Sequence, residues 1–261
     1  MSIVLLYQDY DCKDELRRGE YDLCIQKNLD NPFVSRAIDF AEKGFENKVS
    51  TISPKHELVT IDNRLTFAEA VRQSNKLAPP DSLIVLVNLD IFLASGWHTV
   101  ASFVPSKSNE VMCLGRHEYV AENQPFAVDP ALRKLAHAHS QDCWVWRSPL
   151  HIEDAEFCLG TVGCDNAIAH RMSASGRICR NPMFDLVVVH VDSSALGNPY
   201  RSKEGRSTED KPETRGCLLV PARDKDGSYF EAIMRIVEQL GPESQSSLAV
   251  NMYNSMLKIS N

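Results

Sequence analysis

The sequence predicts an α/β protein built on a mostly parallel, Rossmann-type sheet with helices on both faces. Two runs carry that expectation: Leu83 to Val87 (LIVLV) and Phe184 to Val191 (FDLVVVHV). Both are almost continuously apolar, as strands covered on two sides are. The third observation is order. The first ninety residues read strand, helix, strand, helix, strand, an alternation that belongs to parallel sheets.

Taken in turn, Ser2 to Tyr7 (SIVLLY) predicts the first strand, ending at polar Gln8 and Asp9. Asn31-Pro32 predicts the start of the first helix, with Asn as N-cap and Pro as first residue. Phe33, Ala37, Ile38, Ala41 and Phe45 then recur at helical spacing, and Gly44 is placed to end it. Lys48 to Ile52 (KVSTI) alternates like a strand. Thr66 with Glu69 forms a capping box that opens a second helix to about Leu77, and Pro79-Pro80-Asp81 breaks the chain before LIVLV. Further on, a helix is expected over 94–103, strands over 111–114 and 145–147, and a helix from about Asp165 to Gly176. Its inward face would be Ile168, Ala169 and Met172. Past Asn198 the character changes. Residues 201–215 are charged and predict a loop; Ser228 with Glu231 opens a helix to Leu240, and another is expected over 248–257. The expected organisation is a core over 1–200 and an appendage of charged loop and C-terminal helices over 201–261.

Composition narrows the function. The 261 residues are 43% hydrophobic and 24% charged, which is the profile of a folded protein with a core. With 28 Lys and Arg against 35 Asp and Glu, the net charge is −7. A chain this acidic is not expected to hold nucleic acid, whose affinity rests on phosphate neutralisation. No apolar run is long enough to cross a bilayer, and the N-terminal stretch turns acidic too early for a signal peptide. The eight cysteines, at 12, 24, 113, 143, 158, 164, 179 and 217, contain no CxxC. They predict reduced, mostly buried thiols in a cytoplasmic protein.

In an open parallel sheet, ligands bind beyond the carboxyl ends of the strands. Those ends carry Gln8 and Asp9, then Asn88, Leu89 and Asp90, then Asp192 to Ser194, with His190 still inside its strand. A GxGxxG turn is missing after the first strand, and no GxxxxGK[ST] occurs, so the dinucleotide and P-loop readings fall. A nucleotide could still be held by side chains, with its phosphates neutralised by a divalent cation that needs only one or two protein carboxylates. Asp90 is the best placed of these.

Several segments match in order. Asn88-Leu89-Asp90-Ile91 resembles the DxD-type metal and nucleotide-sugar motif of GT-A fold glycosyltransferases. Ser140-Gln141-Asp142-Cys143-Trp144 resembles an SQD-aromatic segment. Phe157-Cys158-Leu159-Gly160 with Gly163-Cys164-Asp165-Asn166 resembles F-x-LG…G-x-DN. Asn181-Pro182 before His190-Val191-Asp192-Ser193-Ser194 is similar to an NP…H-x-H-x-S ending, and Asn28 with Asn31-Pro32 fits an N-x-x-NP pattern. Together, over roughly residues 1–200, these resemble a group of small GT-A-like glycosyltransferases. Two positions depart from the pattern: Asn88 stands for the first acid of DxD, and Asp192 for the second histidine of H-x-H.

The resemblance implies a metal-dependent glycosyltransferase that moves a sugar from a nucleotide-diphosphate donor to a glycan or other hydroxyl acceptor. Asp90, His190 and Asp192 would serve a Mn2+ or Mg2+ ion, against the alternatives of a turn-forming loop carboxylate for Asp90 and a satisfied core residue for His190. Asp165, with Asp142 as understudy, would be the general base; the competing role of Asp165 is a plain helix N-cap. Gln8, Asp9, Arg17, Glu20, Asn88 and Arg116 would contact the donor, against the alternative of solvated loop charges for Arg17, Arg18 and Glu20 and a surface ion pair for Arg116. Trp144 and Trp146 read as core anchors unless one is exposed to stack on a sugar. His137 and His139 read as a solvated loop. Two rival functions remain: a non-catalytic nucleotide-sugar or glycan binder on the same fold, and a cysteine hydrolase, which would need one thiol of lowered pKa.

Overall fold

The strand Ile3–Asp9 (β1) is buried at every position and lies inside the main sheet. In the computed structural model, residues 2–45, 53–119, 141–161, 163–192 and 220 are described. On one side β1 pairs in parallel with Val34–Glu42 (β2), which pairs in parallel with His56–Ile61 (β3). On its other side β1 pairs in parallel with Leu83–Val87 (β4). Beyond β4 lie Gln141–Arg147 (β8), Glu110–Gly115 (β6) and Ile178–Arg180 (β9), giving one seven-stranded sheet in the order β3-β2-β1-β4-β8-β6-β9. β8 runs antiparallel to both its neighbours and the other strands share one direction. The mostly parallel α/β architecture is as expected.

Alternation along β1 divides the core. Val4 and Leu6 face a cluster closed by helix Phe67–Leu77 (α2) and helix Cys164–Ala174 (α4). Ile3, Leu5 and Tyr7 face the opposite cluster, closed by helix Glu15–Asp30 (α1) and by Trp97, Val100 and Phe103 of a 3-10 turn and the short helix Val100–Phe103 (α3). Helices therefore cover both faces. A second, three-stranded sheet joins Ile91–Leu93 (β5), Val188–His190 (β10) and His117–Glu118 (β7), with β10 in the middle.

Several local expectations are corrected. The segment after Asn31 is strand β2, not a helix: it lies between β1 and β3 and is buried on both faces, so its apolar residues follow burial and not a 3.6 period. The first helix is α1, which spans Arg17, Arg18 and Glu20, residues expected in a loop. Asp14 caps it by accepting from the amide of Arg17, and Asn31 ends it. The 94–103 helix shrinks to the 3-10 turn and α3, and the FDLVVVHV strand to three residues of the small sheet. The α4 N-cap is Gly163, not Asp165, which sits within the first turn. Thr66 caps α2 as expected, its Oγ1 accepting from the Glu69 amide at 3.1 Å, while the Glu69 carboxylate turns to Gln73 and Arg72 instead of closing the box. The expected strand at 48–52, the loop at 201–215 and the helices at 228–240 and 248–257, with most of the 201–261 appendage, lie outside the described residues.

Candidate functional site

Strand order reverses between β1 and β4, because β1 leads away to β2 and β3 while β4 starts the other half of the sheet. That is where an open α/β sheet forms its crevice. Antiparallel β8 brings its first residues to the same rim: the Asn88 amide donates to the Asp142 carbonyl at 3.1 Å. The end of β6 adds Arg116.

Asp90 lies at this rim, 17% exposed. Its Oδ2 takes an ion pair from Arg17 Nη2 and lies 3.2 Å from His190 Nε2. Burial by itself would raise the Asp90 carboxyl. The adjoining His190 and the charges of Arg17 and Arg116 more than offset this and hold it well below the usual carboxylate range. Asp90 is therefore ionised, and its Oδ1 accepts no hydrogen bond among the described residues. Arg17 is fixed by other partners: Nη1 donates to Glu20 Oε2 at 2.7 Å and to the Val191 carbonyl at 3.1 Å, and Nε donates to the Tyr21 hydroxyl at 3.0 Å. Asp192 follows two residues after His190 and is half-buried.

A second cluster adjoins the first. Asp142 is buried, with Oδ1 accepting from Asn88 Nδ2 at 2.6 Å and Oδ2 from Arg116 Nη1 at 2.9 Å. Asp165, on α4, is pushed up to about 8, by burial first and the negative charge of Asp142 second, with Arg116 opposing. The Cys164 thiol donates to Asp165 Oδ1 at 3.1 Å. Arg116 thus acts electrostatically on Asp90 and Asp165 alike.

The asparagines of the sequence motifs hold backbone. Asn28 Nδ2 donates to the Ile91 carbonyl at 2.8 Å and its Oδ1 accepts from the Leu93 amide at 2.9 Å. Asn31 Nδ2 donates to the Leu93 carbonyl. Both clamp β5, the strand that follows Asp90. Asn181 Oδ1 accepts from the Gly115 amide at 2.9 Å, immediately before Arg116, while Nδ2 donates to Val220.

Two expected donor contacts turn into the protein. Gln8 is buried between Glu42 and the Leu65 amide. Asp9 is fully buried, bonded to both nitrogens of the Arg18 fork and to the Tyr10 amide. The Asp9 amide donates to Asp39, whose carboxylate also meets His56 at 3.1 Å. Neither Asp39, within the segment expected to be the first helix, nor His56, beyond the strand expected at 48–52, is a site candidate in the sequence reading. Glu20 is buried against Arg17. Trp144 and Trp146 are fully buried and belong to the core. His137 and His139 lie outside the described residues. Cys24, Cys113, Cys143 and Cys164 are pushed up mainly by burial, Cys113 above all by its hydrogen bond with Cys179, which in turn is lowered by that bond. Cys179 is the described thiol held below its ordinary value, by Cys113 and not by a histidine, and among the described residues no cysteine bonds a histidine.

For the expected cation, the residues fit as a partial set. Among the described residues no three metal-ligating side chains converge, yet a divalent ion that keeps substrate phosphates needs fewer. Asp90 offers an ionised carboxylate with one open oxygen, and His190 an imidazole beside it.

Fold and rim define an α/β protein with a cluster of charged side chains at the switch point of a mostly parallel sheet. Comparison with solved structures adds distant likenesses. An inositol-1-phosphate CTP transferase from T. maritima is 10% identical, covering 78% of this chain and 92% of that one at a TM-score of 0.42. TarS 1-349 of S. aureus is 9% identical, covering 95% and 69% at 0.42. A 4-diphosphocytidyl-2C-methyl-D-erythritol synthase from Anaerococcus prevotii is 11% identical, covering 73% and 86% at 0.41. No family model and no curated protein matches the chain. No helix among the described residues is long and apolar enough to cross a membrane.

Proposed function

We propose that the protein is a glycosyltransferase that moves a sugar from a nucleotide-diphosphate donor to a hydroxyl acceptor, with Mn2+ or Mg2+ at Asp90. The observation that carries this reading is the convergence on one rim of an ionised Asp90, its neighbour His190, and a carboxyl of raised pKa at Asp165, with Arg116 acting on both carboxylates. The ordered motif matches support it.

In this reading Asp90 and His190 would hold the cation, which would supply positive charge to stabilise the departing diphosphate. Arg17 and Arg116 add fixed positive charge on the same side. Asn88 and Asp142 hold the Arg116 guanidinium in place. Asp165 takes the proton of the acceptor hydroxyl as its oxygen bonds to the anomeric carbon. The bond from that carbon to the phosphate oxygen breaks, and its electron pair leaves with the nucleoside diphosphate. A carboxylate of raised pKa is a stronger base than an ordinary one.

The test is hydrolysis or transfer across UDP-, GDP-, CDP- and dTDP-sugars with manganese, with and without chelator, for wild type and Asp90→Ala. Expected is chelator-sensitive turnover that the substitution abolishes. Undiminished turnover in Asp90→Ala rejects the role of Asp90. One observation favours the non-catalytic binder: Asn88 is spent on Asp142, leaving the motif a single acid. Calorimetry separates the two, since tight donor binding without hydrolysis or transfer across an acceptor panel marks the binder.

A further inference from the structure

Arg17 and Asp90 are each the counter-charge of the other, and each is also the group that the proposed function assigns to a ligand of opposite sign. The bonding of the Arg17 guanidinium is unequal around its fork. Nη1 is tied to Glu20 and the Val191 carbonyl, and Nε to the Tyr21 hydroxyl, while the Tyr21 ring lies 4.8 Å from the guanidinium carbon. Three of its contacts thus fix the plane without Asp90. Only Nη2 reaches the Asp90 carboxylate.

We propose that Arg17 and Asp90 form an exchangeable pair, opened when a divalent cation and a diphosphate enter together. The inference rests on the cation reading of Asp90. In the free protein the pair satisfies both charges in a half-buried site, where an unpaired charge is costly. A cation arriving alone at the Asp90 carboxylate sets its charge against the Arg17 guanidinium held on Oδ2 and weakens that pair. A diphosphate arriving alone draws Nη2 away and leaves Asp90 with His190 as its remaining partner. Arriving together, each supplies the partner that the other removes. Arg17 needs no large movement, because Glu20, Tyr21 and Val191 keep it aimed at the same place. Binding of the two ligands is therefore coupled, and by linkage the coupling is reciprocal.

The test uses the full chain and the two halves of the ligand separately. Mn2+ is titrated calorimetrically, without nucleotide, into wild type, Arg17→Gln and the double variant Arg17→Gln/Asp90→Asn. Removing Arg17 unmasks Asp90, so Arg17→Gln is expected to bind Mn2+ about tenfold or more tightly than wild type, and the double variant to lose that gain. Inorganic pyrophosphate is titrated in the presence of chelator into wild type and Asp90→Asn. Removing the Asp90 charge unmasks Nη2, so Asp90→Asn is expected to bind pyrophosphate about tenfold or more tightly. A merely structural pair would give losses in both titrations. The second arm also stands if Arg17→Gln does not fold. Equal affinities in wild type and single variants overturn the exchange and leave the cation at Asp90 in place. Failure of wild type and folded Arg17→Gln alike to take up Mn2+ overturns the exchange together with the cation, which metal-independent transfer from a nucleotide sugar would show to be separate from the transferase reading.

Discussion

Arg116 Nη1 lies 2.9 Å from Asp142 Oδ2, and this ion pair sets the charge that Asp165 experiences. Asp142 pushes the Asp165 carboxyl up after burial has already done so, and Arg116 pulls it down. At neutral pH Asp165 therefore carries a proton, and a general base must first lose it. The rate of transfer, as kcat/KM, is expected to climb with pH through about 8. Arg116→Gln should move that rise to higher pH. A flat profile between pH 6 and 9 would remove Asp165 from the base role.

The same shift bears on stability. A carboxyl whose folded pKa is raised favours the fold below its ordinary pKa, and that contribution is lost as pH rises through the folded value, here about 8. Asp165→Asn is thus expected to melt above wild type at pH 9, with the gap narrowing at pH 6. Thermal denaturation at the two pH values checks the sign.

Asn88 donates to Asp142 at 2.6 Å, which an acid at that position could not do. Asn88→Asp would complete the DxD pattern in sequence yet set a second carboxylate against a buried one. The expectation is a loss of ~1.5–3 kcal/mol in stability, the scale of a hydrogen bond to a charged group, and slower transfer. Urea unfolding reads the first, and a variant as stable as wild type would show that the contact is dispensable.

Asn28 makes two buried bonds to β5, one to a carbonyl and one to an amide. Asn28→Ala strands both backbone groups, at a cost of ~1–3 kcal/mol each in a buried setting. The variant should also bind the Mn2+ probe more weakly, since β5 carries the segment directly after Asp90. Asn28→Asp keeps only the bond from Leu93 and should fall between.

Gly96 has φ +86°, and a Cβ built there would stand 1.6 Å from the Asp185 carbonyl oxygen. Backbone, not a flexible side chain, is the obstacle. Gly96→Ala must separate the 3-10 turn at Trp97 from the segment leading into β10, where the Trp97 indole donates to the Val187 carbonyl. The expected result is a large drop in melting temperature or no folded protein. A melting curve within a few degrees of wild type, about what 1 kcal/mol shifts, would contradict the packing described for this turn.

Legibility followed physical cause. β1, β4, α2 and α4 could be read because their signals are local: continuous apolar runs, a capping box, a periodic face with Gly176 after it. α1 could not. Its residues ELRRGEYDLCIQKNLD are mostly polar, because its first turns face a charged rim and its buried residues include Glu20 and Asn28. With no local helix signal there, the apolar residues of β2 mimic the first helix, and the sequence predicts Arg17 and Arg18 in a loop. Gln8 and Asp9 lie where donor contacts were expected, but partners from Glu42, Leu65 and Arg18 turn them inward.

By itself, then, the sequence determined the layered α/β plan and the polar residues that end its strands, since both are written in neighbouring side chains. Tertiary structure alone decided what those polar residues meet. Asp90 with Arg17 and His190, and Asp142 with Arg116, are pairings across 73, 100 and 26 positions. Such pairings arise when strand order brings distant ends to one rim, where a half-buried charge is stable only beside its opposite.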